Sequence, residues 1–211
     1  MPSYKLYYFN VRGRGEFLRY MLLNAGIPFE DFRIDSTITP GQWDTYKPKM
    51  PMGQVPVLEI DGKEMLPQSC AIGRYLAKQT KTYGANDLEA AHIDAIVDLA
   101  NDIYPKVRPV IMAMFQKNND LKQEEWGKVR DDVSKQIGFL ENTLKTNGSG
   151  WLVGKSVSMA DFFVGEFIDR LVEKVDPKIV DDAPHVKELV KKVAELPKIK
   201  EYIATRPQTT F

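Results

Sequence analysis

Residues 50–69 constrain the fold of this chain more than any other stretch, because they combine a proline, a short apolar run and a tight turn. The apolar run at 57–60 predicts a strand, and Asp61-Gly62 follows it directly. An Asp-Gly pair favours a two-residue hairpin, since both central residues of that turn take a positive φ. We therefore predict a β-hairpin here, followed by a helix that begins at Ser69.

Pro56 directly precedes the first strand of this hairpin, where a proline has no N–H to donate to a neighbouring strand. The residues alone leave two interpretations open. A trans proline at the first position of an edge strand is the commoner arrangement. A cis Val55-Pro56 bond would instead turn the chain sharply and leave the backbone N–H and C=O of Val55 facing outward.

Apolar periodicity on both sides of the hairpin predicts the order of the elements in the first part of the chain. The predicted elements are a strand at 4–9, a helix at 16–25, a strand at 29–34, a short helix from Thr39-Pro40 to Lys47, strands at 57–60 and 64–66, and a helix at 69–79. This β-α-β-α-β-β-α order is that of the thioredoxin-like fold. The proline before the hairpin is cis in that fold, so we predict a cis bond at Pro56.

Strand signals nearly vanish after the polar stretch at 80–87. Helices are predicted at 88–114 (bent at Pro105 and Pro109), 124–145, 158–173, 184–195 and 197–205. Ser158 and Asp161 have the spacing of a capping box for the third of these helices. The sequence therefore predicts a thioredoxin-like domain at 1–79, a linker at 80–87 and an all-helical domain at 88–211.

The overall charge and the cysteine content exclude several classes of protein. Lysine and arginine together number 29, as do aspartate and glutamate, so no net basic field attracts nucleic acid or an anionic membrane. No apolar run approaches the ~20 residues that span a bilayer. Cys70 is the only cysteine, which excludes an intrachain disulfide. We expect Cys70 to be a small buried residue, and we expect the protein to be cytoplasmic.

The end of the first strand is where a thioredoxin-like protein carries its chemistry. A redox member would have a Cys-x-x-Cys motif at the start of the first helix, but residues 9–16 contain no thiol. Dithiol exchange is therefore excluded. The groups available there are the phenol of Tyr8 and the guanidinium of Arg14.

These residues belong to a longer pattern. Tyr8-Phe9-Asn10 with Arg12-Gly13-Arg14, residues 51–59, and Gln68-Ser69 resemble a cytosolic glutathione transferase. The first of these motifs is similar to the sigma class, which is found in invertebrates and includes the glutathione-dependent prostaglandin D synthases. Residues 92–98, 158–162 and 206–209 match the same pattern, so the resemblance covers essentially the whole chain.

The resemblance implies a homodimer in which each subunit binds the tripeptide glutathione. Gln68 and Ser69, at a helix N-terminus, would hold the γ-glutamyl carboxylate. Val55 would pair with the cysteinyl backbone, and Trp43 and Lys47 would contact the glycyl end. Gly53 and Gln54 would lie on the same side of the site as Val55. Asp102 of the partner subunit would bind the γ-glutamyl amine.

The resemblance also implies the reaction, conjugation of the glutathione thiolate to hydrophobic electrophiles in detoxification. Tyr8 would donate a hydrogen bond to the thiolate, and Arg14 would add positive potential and orient the phenol. An electrophile site would draw on both domains. Its candidate residues are Phe9, Val11, Gly13, Tyr104, Arg108, Met112 and Phe211.

Two other functions stay open at this point. One is a carrier of haem or another large apolar ligand, and the other is a glutathione-dependent prostaglandin isomerase. Pro109 stands where the isomerases have an aromatic residue, which weighs against the second. Asn101 replaces one carboxylate of an acidic cluster that binds a divalent ion in those relatives, so we expect no metal cofactor.

Overall fold

The computed structural model describes residues 2–35 and 41–211, and the chain divides into two units. Unit 1 comprises Met1–Thr80 together with Pro197–Thr209, and unit 2 comprises Lys81–Leu196 together with Thr210–Phe211. The predicted helix start at Thr39-Pro40 lies outside the described residues.

Unit 1 has the predicted β-α-β-α-β-β-α order. Its elements are β1 (Tyr4–Phe9), α1 (Glu16–Asn24), β2 (Phe29–Ile34), α2 (Gln42–Tyr46), β3 (Val57–Ile60), β4 (Glu64–Pro67) and α3 (Ser69–Thr80). Short 3-10 turns at Gly13–Gly15 and Lys47–Lys49 precede α1 and follow α2. The thioredoxin-like fold predicted for this part of the chain is confirmed.

The described strands of unit 1 form one sheet in the order β2-β1-β3-β4. β1 pairs parallel with β2 and antiparallel with β3, and β3 pairs antiparallel with β4. Leu6 and Leu58 face each other across β1 and β3, and neither is exposed to solvent. Most side chains of β1 are buried, including the consecutive residues Leu6, Tyr7 and Tyr8, which explains why its sequence is rich in aromatic and aliphatic residues.

The hairpin between β3 and β4 has the predicted turn. Asp61 and Gly62 take φ values of 55° and 64°, the positive values that a two-residue hairpin of this kind requires. The Val55-Pro56 peptide bond is cis, as the thioredoxin-like order predicts. Both local predictions for residues 50–69 are therefore confirmed.

Unit 2 is helical throughout its regular structure, as predicted. Its elements are α4 (Asp87–Asn101), α5 (Ile103–Phe115), α6 (Asn119–Asn147), α7 (Met159–Lys174) and α8 (Pro184–Ala194). Most of α7 is buried, and the predicted capping box of Ser158 and Asp161 is present at its start. Within the described residues, none of the helices combines the length and the apolar character needed to cross a bilayer.

The prediction of one bent helix at 88–114 is wrong. The chain forms two helices, α4 and α5, which meet at Asp102. Pro105 explains the break, because it has no N–H to donate to the carbonyl of Asn101 and so cannot continue the ladder of α4. Proline is tolerated in the first turn of the new helix, where the N–H groups have no intrahelical partner.

The last helix, α9 (Pro197–Thr205), packs on α1 and belongs to unit 1, although the sequence placed it in the helical domain. Polar contacts explain the difference. The Tyr202 hydroxyl donates to Glu16 Oε2 at 3.1 Å. Beyond the helix, Arg206 Nη1 donates to Glu16 Oε1 at 3.0 Å and to the Tyr20 hydroxyl at 2.8 Å.

Candidate active site

Tyr8, the next-to-last residue of β1, is packed tightly against the backbone of the following loop. Only 7% of its surface is exposed. A Cβ added to Gly15 would stand 2.5 Å from the Tyr8 ring, and one added to Gly13 would collide with the hydroxyl. Glycine at these two positions therefore lets the loop close over the ring.

The backbone N–H of Arg14 donates a hydrogen bond to the Tyr8 hydroxyl oxygen at 2.8 Å. Because the oxygen accepts from this amide, the O–H bond of Tyr8 must point away from it. The sequence assigned the orienting role to the side chain of Arg14, whereas this bond comes from its main chain. The Arg14 side chain is half-buried and lines the neighbouring cavity.

That cavity lies in unit 1, has a volume of about 420 Å³ and is lined by most of the residues predicted to bind glutathione. Its wall is formed by the end of β1, the helix α2, the loop before β3 and the start of α3. The predicted residues in its wall are Phe9, Arg14, Trp43, Gly53, Gln54, Val55, Gln68 and Ser69. Residues far apart in the sequence are thus brought together around one space.

One end of the cavity is formed by the start of α3. Ser69 is the first residue of that helix and is 4% exposed, and Gln68 precedes it with a φ of 74°. The first N–H groups of a helix have no intrahelical acceptor, and they lie at the positive end of the helix dipole. This end of the cavity is therefore suited to an anionic group.

Aromatic side chains form another part of the wall. The rings of Phe9 and Trp43 meet edge to face, with their centroids 5.1 Å apart. Lys47 is exposed, and its aliphatic chain lies beside Gly53, where an added Cβ would be 3.9 Å from it. The Lys47 side chain therefore lies next to Gly53 in the cavity wall, although Lys47 itself does not line the cavity.

The remaining predicted residues lie in unit 2 or in the loop after β1. Asp102 is exposed where α4 meets α5, and Arg108 and Met112 are exposed on α5. Tyr104 and Phe211 are buried around one side chain, Arg170. That guanidinium donates to the Tyr104 hydroxyl and lies 4.4 Å from the centroid of the Phe211 ring.

Val11 and Gly13 belong to the loop after β1. The carbonyl of Val11 accepts a hydrogen bond from Arg19, and Gly13 contacts Tyr8. The structure therefore brings Tyr104 and Phe211 together around Arg170, and the role of the predicted residues in binding an electrophile stays a prediction.

Some residues at the cavity were missed. Met52, Pro56 and Pro67 line it, and the Met52 sulfur lies 3.3 Å from the Gln68 amide nitrogen. The residue type of Met52 does not indicate this contact. Its position next to Gly53, a predicted binding residue, could have indicated that Met52 lines the cavity. Cys70 was expected to be buried and is only half-buried, because α3 turns it partly toward solvent.

Unit 2 contains a larger and more open cavity of about 1060 Å³, along α4, α6 and the loop that follows α6. None of the residues predicted for binding or catalysis lines it. Cavity size alone therefore does not identify the active site, because the residues predicted to bind glutathione line the smaller cavity in unit 1.

A thioredoxin-like domain with no dithiol, a tyrosine near the end of its first strand and a helix start suited to an anion is the arrangement that the resemblance to glutathione transferases implies. Family comparison agrees. Residues 4–78 match the N-terminal domain of glutathione S-transferases, and residues 101–206 match the C-terminal domain. The chain belongs to the glutathione S-transferase family, and it is a transferase that uses glutathione as co-substrate.

Similar proteins cover the chain from end to end. A glutathione S-transferase of Anopheles gambiae is 37% identical over 99% of both chains. The haematopoietic prostaglandin D synthase of Homo sapiens is 36% identical, again over 99% of both. The crystal structure of monomeric Na-GST-3 from the hookworm Necator americanus matches with a TM-score of 0.87 at 37% identity, over 99% of this chain and 100% of that one.

Proposed function

We propose that this transferase conjugates glutathione to hydrophobic electrophiles and that Tyr8 stabilises the glutathione thiolate during the reaction. One observation carries the proposal. The Tyr8 hydroxyl oxygen accepts a hydrogen bond from the Arg14 amide, so its own O–H points away from that amide, and Phe9 and Arg14 beside it line the cavity. A thiol bound in that cavity is a suitable acceptor for the O–H.

The energy of such a hydrogen bond is large enough to matter. A free thiol titrates near ~8.5, so only a few per cent is ionised at pH 7. A hydrogen bond to a charged group contributes roughly 1.5–3 kcal/mol, which lowers the thiol pKa by about one to two units. Tyr8 acts here as a neutral donor to a developing anion, as the groups of an oxyanion hole do.

The rest of glutathione would lie along the cavity wall. Ser69 and Gln68 would receive the γ-glutamyl carboxylate at the start of α3. Val55 would pair with the cysteinyl backbone in the manner of an added strand residue. Trp43 and Lys47 would contact the glycyl end. The position of each residue in or beside the cavity supports these assignments.

We further propose a homodimer of the sigma class, in the cytoplasm, in which Asp102 of the partner subunit binds the γ-glutamyl amine. The exposed position of Asp102 between α4 and α5 leaves its carboxylate accessible to a second subunit. Because the related Na-GST-3 is described as monomeric, the oligomeric state needs a direct measurement.

Replacement of Tyr8 by phenylalanine tests the central assignment. We expect turnover of a chloronitrobenzene to fall roughly 10- to 100-fold, which corresponds to the ~1.5–3 kcal/mol of the lost hydrogen bond. The dissociation constant for glutathione, measured by calorimetry, should change little, because the peptide contacts remain. Unchanged turnover in a folded Tyr8→Phe variant would remove Tyr8 from the mechanism.

A second candidate function is isomerisation of a prostaglandin endoperoxide, which the similarity to a prostaglandin D synthase favours. Pro109 on α5 stands where the isomerases resembled by this chain have an aromatic residue, so we expect little of this activity. Product analysis with the endoperoxide and glutathione distinguishes the two enzymes. The presence of both Tyr8 and Arg14 beside the cavity favours a catalyst over a carrier of haem.

A further inference from the structure

Arg19 is a fully buried arginine on α1 that connects α1, β2 and the loop after β1. Its Nε donates to Asp31 Oδ1 at 2.9 Å, and its Nη1 donates to Glu16 Oε2 at 2.9 Å. The same Nη1 donates to the carbonyl oxygen of Val11 at 3.0 Å. The guanidinium carbon lies over the Tyr8 ring, 5.8 Å from its centroid.

Besides its hydrogen bonds, the Arg19 guanidinium lies over the Tyr8 ring. Arg19 Nη2 is buried and makes no hydrogen bond to any of the residues that the structure describes. A buried N–H group without an acceptor is costly, and the face of an aromatic ring is a weak acceptor that attracts cations. The guanidinium carbon is close enough to the Tyr8 ring for an attraction of this kind.

Arg19 is not needed only to neutralise Glu16 and Asp31, because each of these carboxylates also pairs with another arginine. Glu16 Oε1 also pairs with Arg206 at 3.0 Å. In the same way, Asp31 Oδ2 pairs with Arg33 at 2.8 Å. Each carboxylate has a cation of its own, so what Arg19 adds is its hold on the Val11 carbonyl and its position over Tyr8.

We propose that Arg19 is a positioning residue for the thiolate-stabilising Tyr8, an inference that rests on the function proposed above. Its bond to Val11 fixes the start of the loop that turns at Gly13–Gly15. That turn presents the Arg14 amide to the Tyr8 oxygen. The positive charge over the ring also makes the phenol O–H a stronger hydrogen-bond donor, because it stabilises negative charge on the oxygen.

The test compares two variants that remove one cation each from the same network. Arg19→Met removes the contacts with Val11 and Tyr8, while Glu16 and Asp31 keep their other arginines. Arg206→Met is the matched control, since its hydrogen bonds go to Glu16 and Tyr20. The readout is the ultraviolet absorbance of the thiolate of bound glutathione, followed against pH, together with kcat, KM and thermal stability.

We expect Arg19→Met to raise the pKa of the bound glutathione thiol by about one unit, with a roughly tenfold lower kcat near pH 6.5. The loss should diminish at high pH, and KM for glutathione should stay within about twofold. Arg206→Met should lower the melting temperature and leave the thiol pKa unchanged. A thiol pKa shift in Arg19→Met but not in Arg206→Met would distinguish a role of Arg19 in positioning Tyr8 from a general loss of stability.

The inference is overturned if folded Arg19→Met ionises the thiol as the wild type does, or if Arg206→Met shifts the thiol pKa equally. If Arg19→Met does not fold, Arg19→Gln decides, since its neutral amide removes the positive charge beside Tyr8 and can still donate a hydrogen bond to a neighbouring carboxylate. An unshifted thiol in that variant also overturns the inference. A wild-type protein with no ionised thiol near pH 7 would instead refute the proposed role of Tyr8 itself.

Discussion

Replacement of Gly15 by alanine tests whether the packing of the loop against Tyr8 sets the catalytic geometry. Gly15 has φ −91° and ψ −22°, a conformation that alanine adopts without strain. The added methyl group would stand 2.5 Å from Tyr8 Cδ1 and 2.7 Å from Cγ. Carbon atoms in contact are ordinarily about 3.5–4.0 Å apart, so the ring must retreat by about 1 Å.

That displacement is large for a catalytic group. A misplacement of about 1 Å can cost ~10²-fold in rate, so we expect Gly15→Ala to lower kcat by one to two orders of magnitude. The stability effect should be smaller, because overpacking costs about 1–3 kcal/mol and the loss of glycine recovers up to ~1 kcal/mol. The variant should therefore stay folded at room temperature with most of its activity lost.

The assay is conjugation of a chloronitrobenzene, with urea unfolding of the same samples. Gly138→Ala on α6 is the matched control, since an added Cβ there meets nothing within 4 Å. It should keep full activity and gain a few tenths to about 1 kcal/mol in stability. Adding Gly15→Ala to Tyr8→Phe should cause no further loss of kcat, because both changes act through one hydroxyl.

Full activity of a folded Gly15→Ala protein would refute this reasoning. It would mean that the loop moves aside at no cost to the reaction, so that the Tyr8 hydroxyl does not need the position that Gly13 and Gly15 impose. An additional loss in the double variant would also count against it, since the methyl group would then act on a second group.

Two further predictions concern the helix starts of the two units. Ser69→Ala and Gln68→Ala should each weaken glutathione binding about 5- to 30-fold in calorimetry, because each removes a polar contact worth roughly 1–2 kcal/mol, and undiminished affinity would contradict the proposed carboxylate site. Burial raises the pKa of the Asp161 carboxyl to about 6, from 3.8, although Leu152 N–H and the Ser158 N–H and hydroxyl donate to it. Because the folded protein binds the Asp161 proton more tightly than the unfolded chain does, this carboxyl stabilises the fold at low pH, and the stabilisation is lost as pH rises through about 6. The wild type should therefore gain about 1–2 kcal/mol between pH 8 and pH 5 relative to Asp161→Asn, measured by urea unfolding at each pH.

The elements of the thioredoxin-like unit were predictable because their signals are local. The Asp61-Gly62 turn needs only two residues with a positive φ, and strand and helix periodicities repeat within a few residues. Once the order of the elements was known, the cis bond at Pro56 followed from the fold. Most of the cavity wall followed from motifs that stand in register with a known family.

Other features depended on information that side-chain types do not carry. The bond that orients Tyr8 comes from the main chain of Arg14, and any residue except proline could supply that N–H. The importance of Arg19 depends on contacts with three separate elements, which a single sequence does not reveal. Pro105 indicated an interruption of the helix between α4 and α5. Apolar periodicity alone, however, does not show whether a proline bends a helix or ends it.

The return of Pro197–Thr209 to unit 1 has a consequence for synthesis of the protein. About 116 residues of unit 2 are translated between Thr80 and Pro197, which takes on the order of ten seconds at ~5–20 residues per second. During that interval the nascent thioredoxin-like unit lacks α9, and Glu16 lacks its partners Tyr202 and Arg206. Consolidation of the amino-terminal unit therefore waits until α9 has been translated, and ribosome-bound chains stalled before residue 197 should be more sensitive to protease there than chains that include α9.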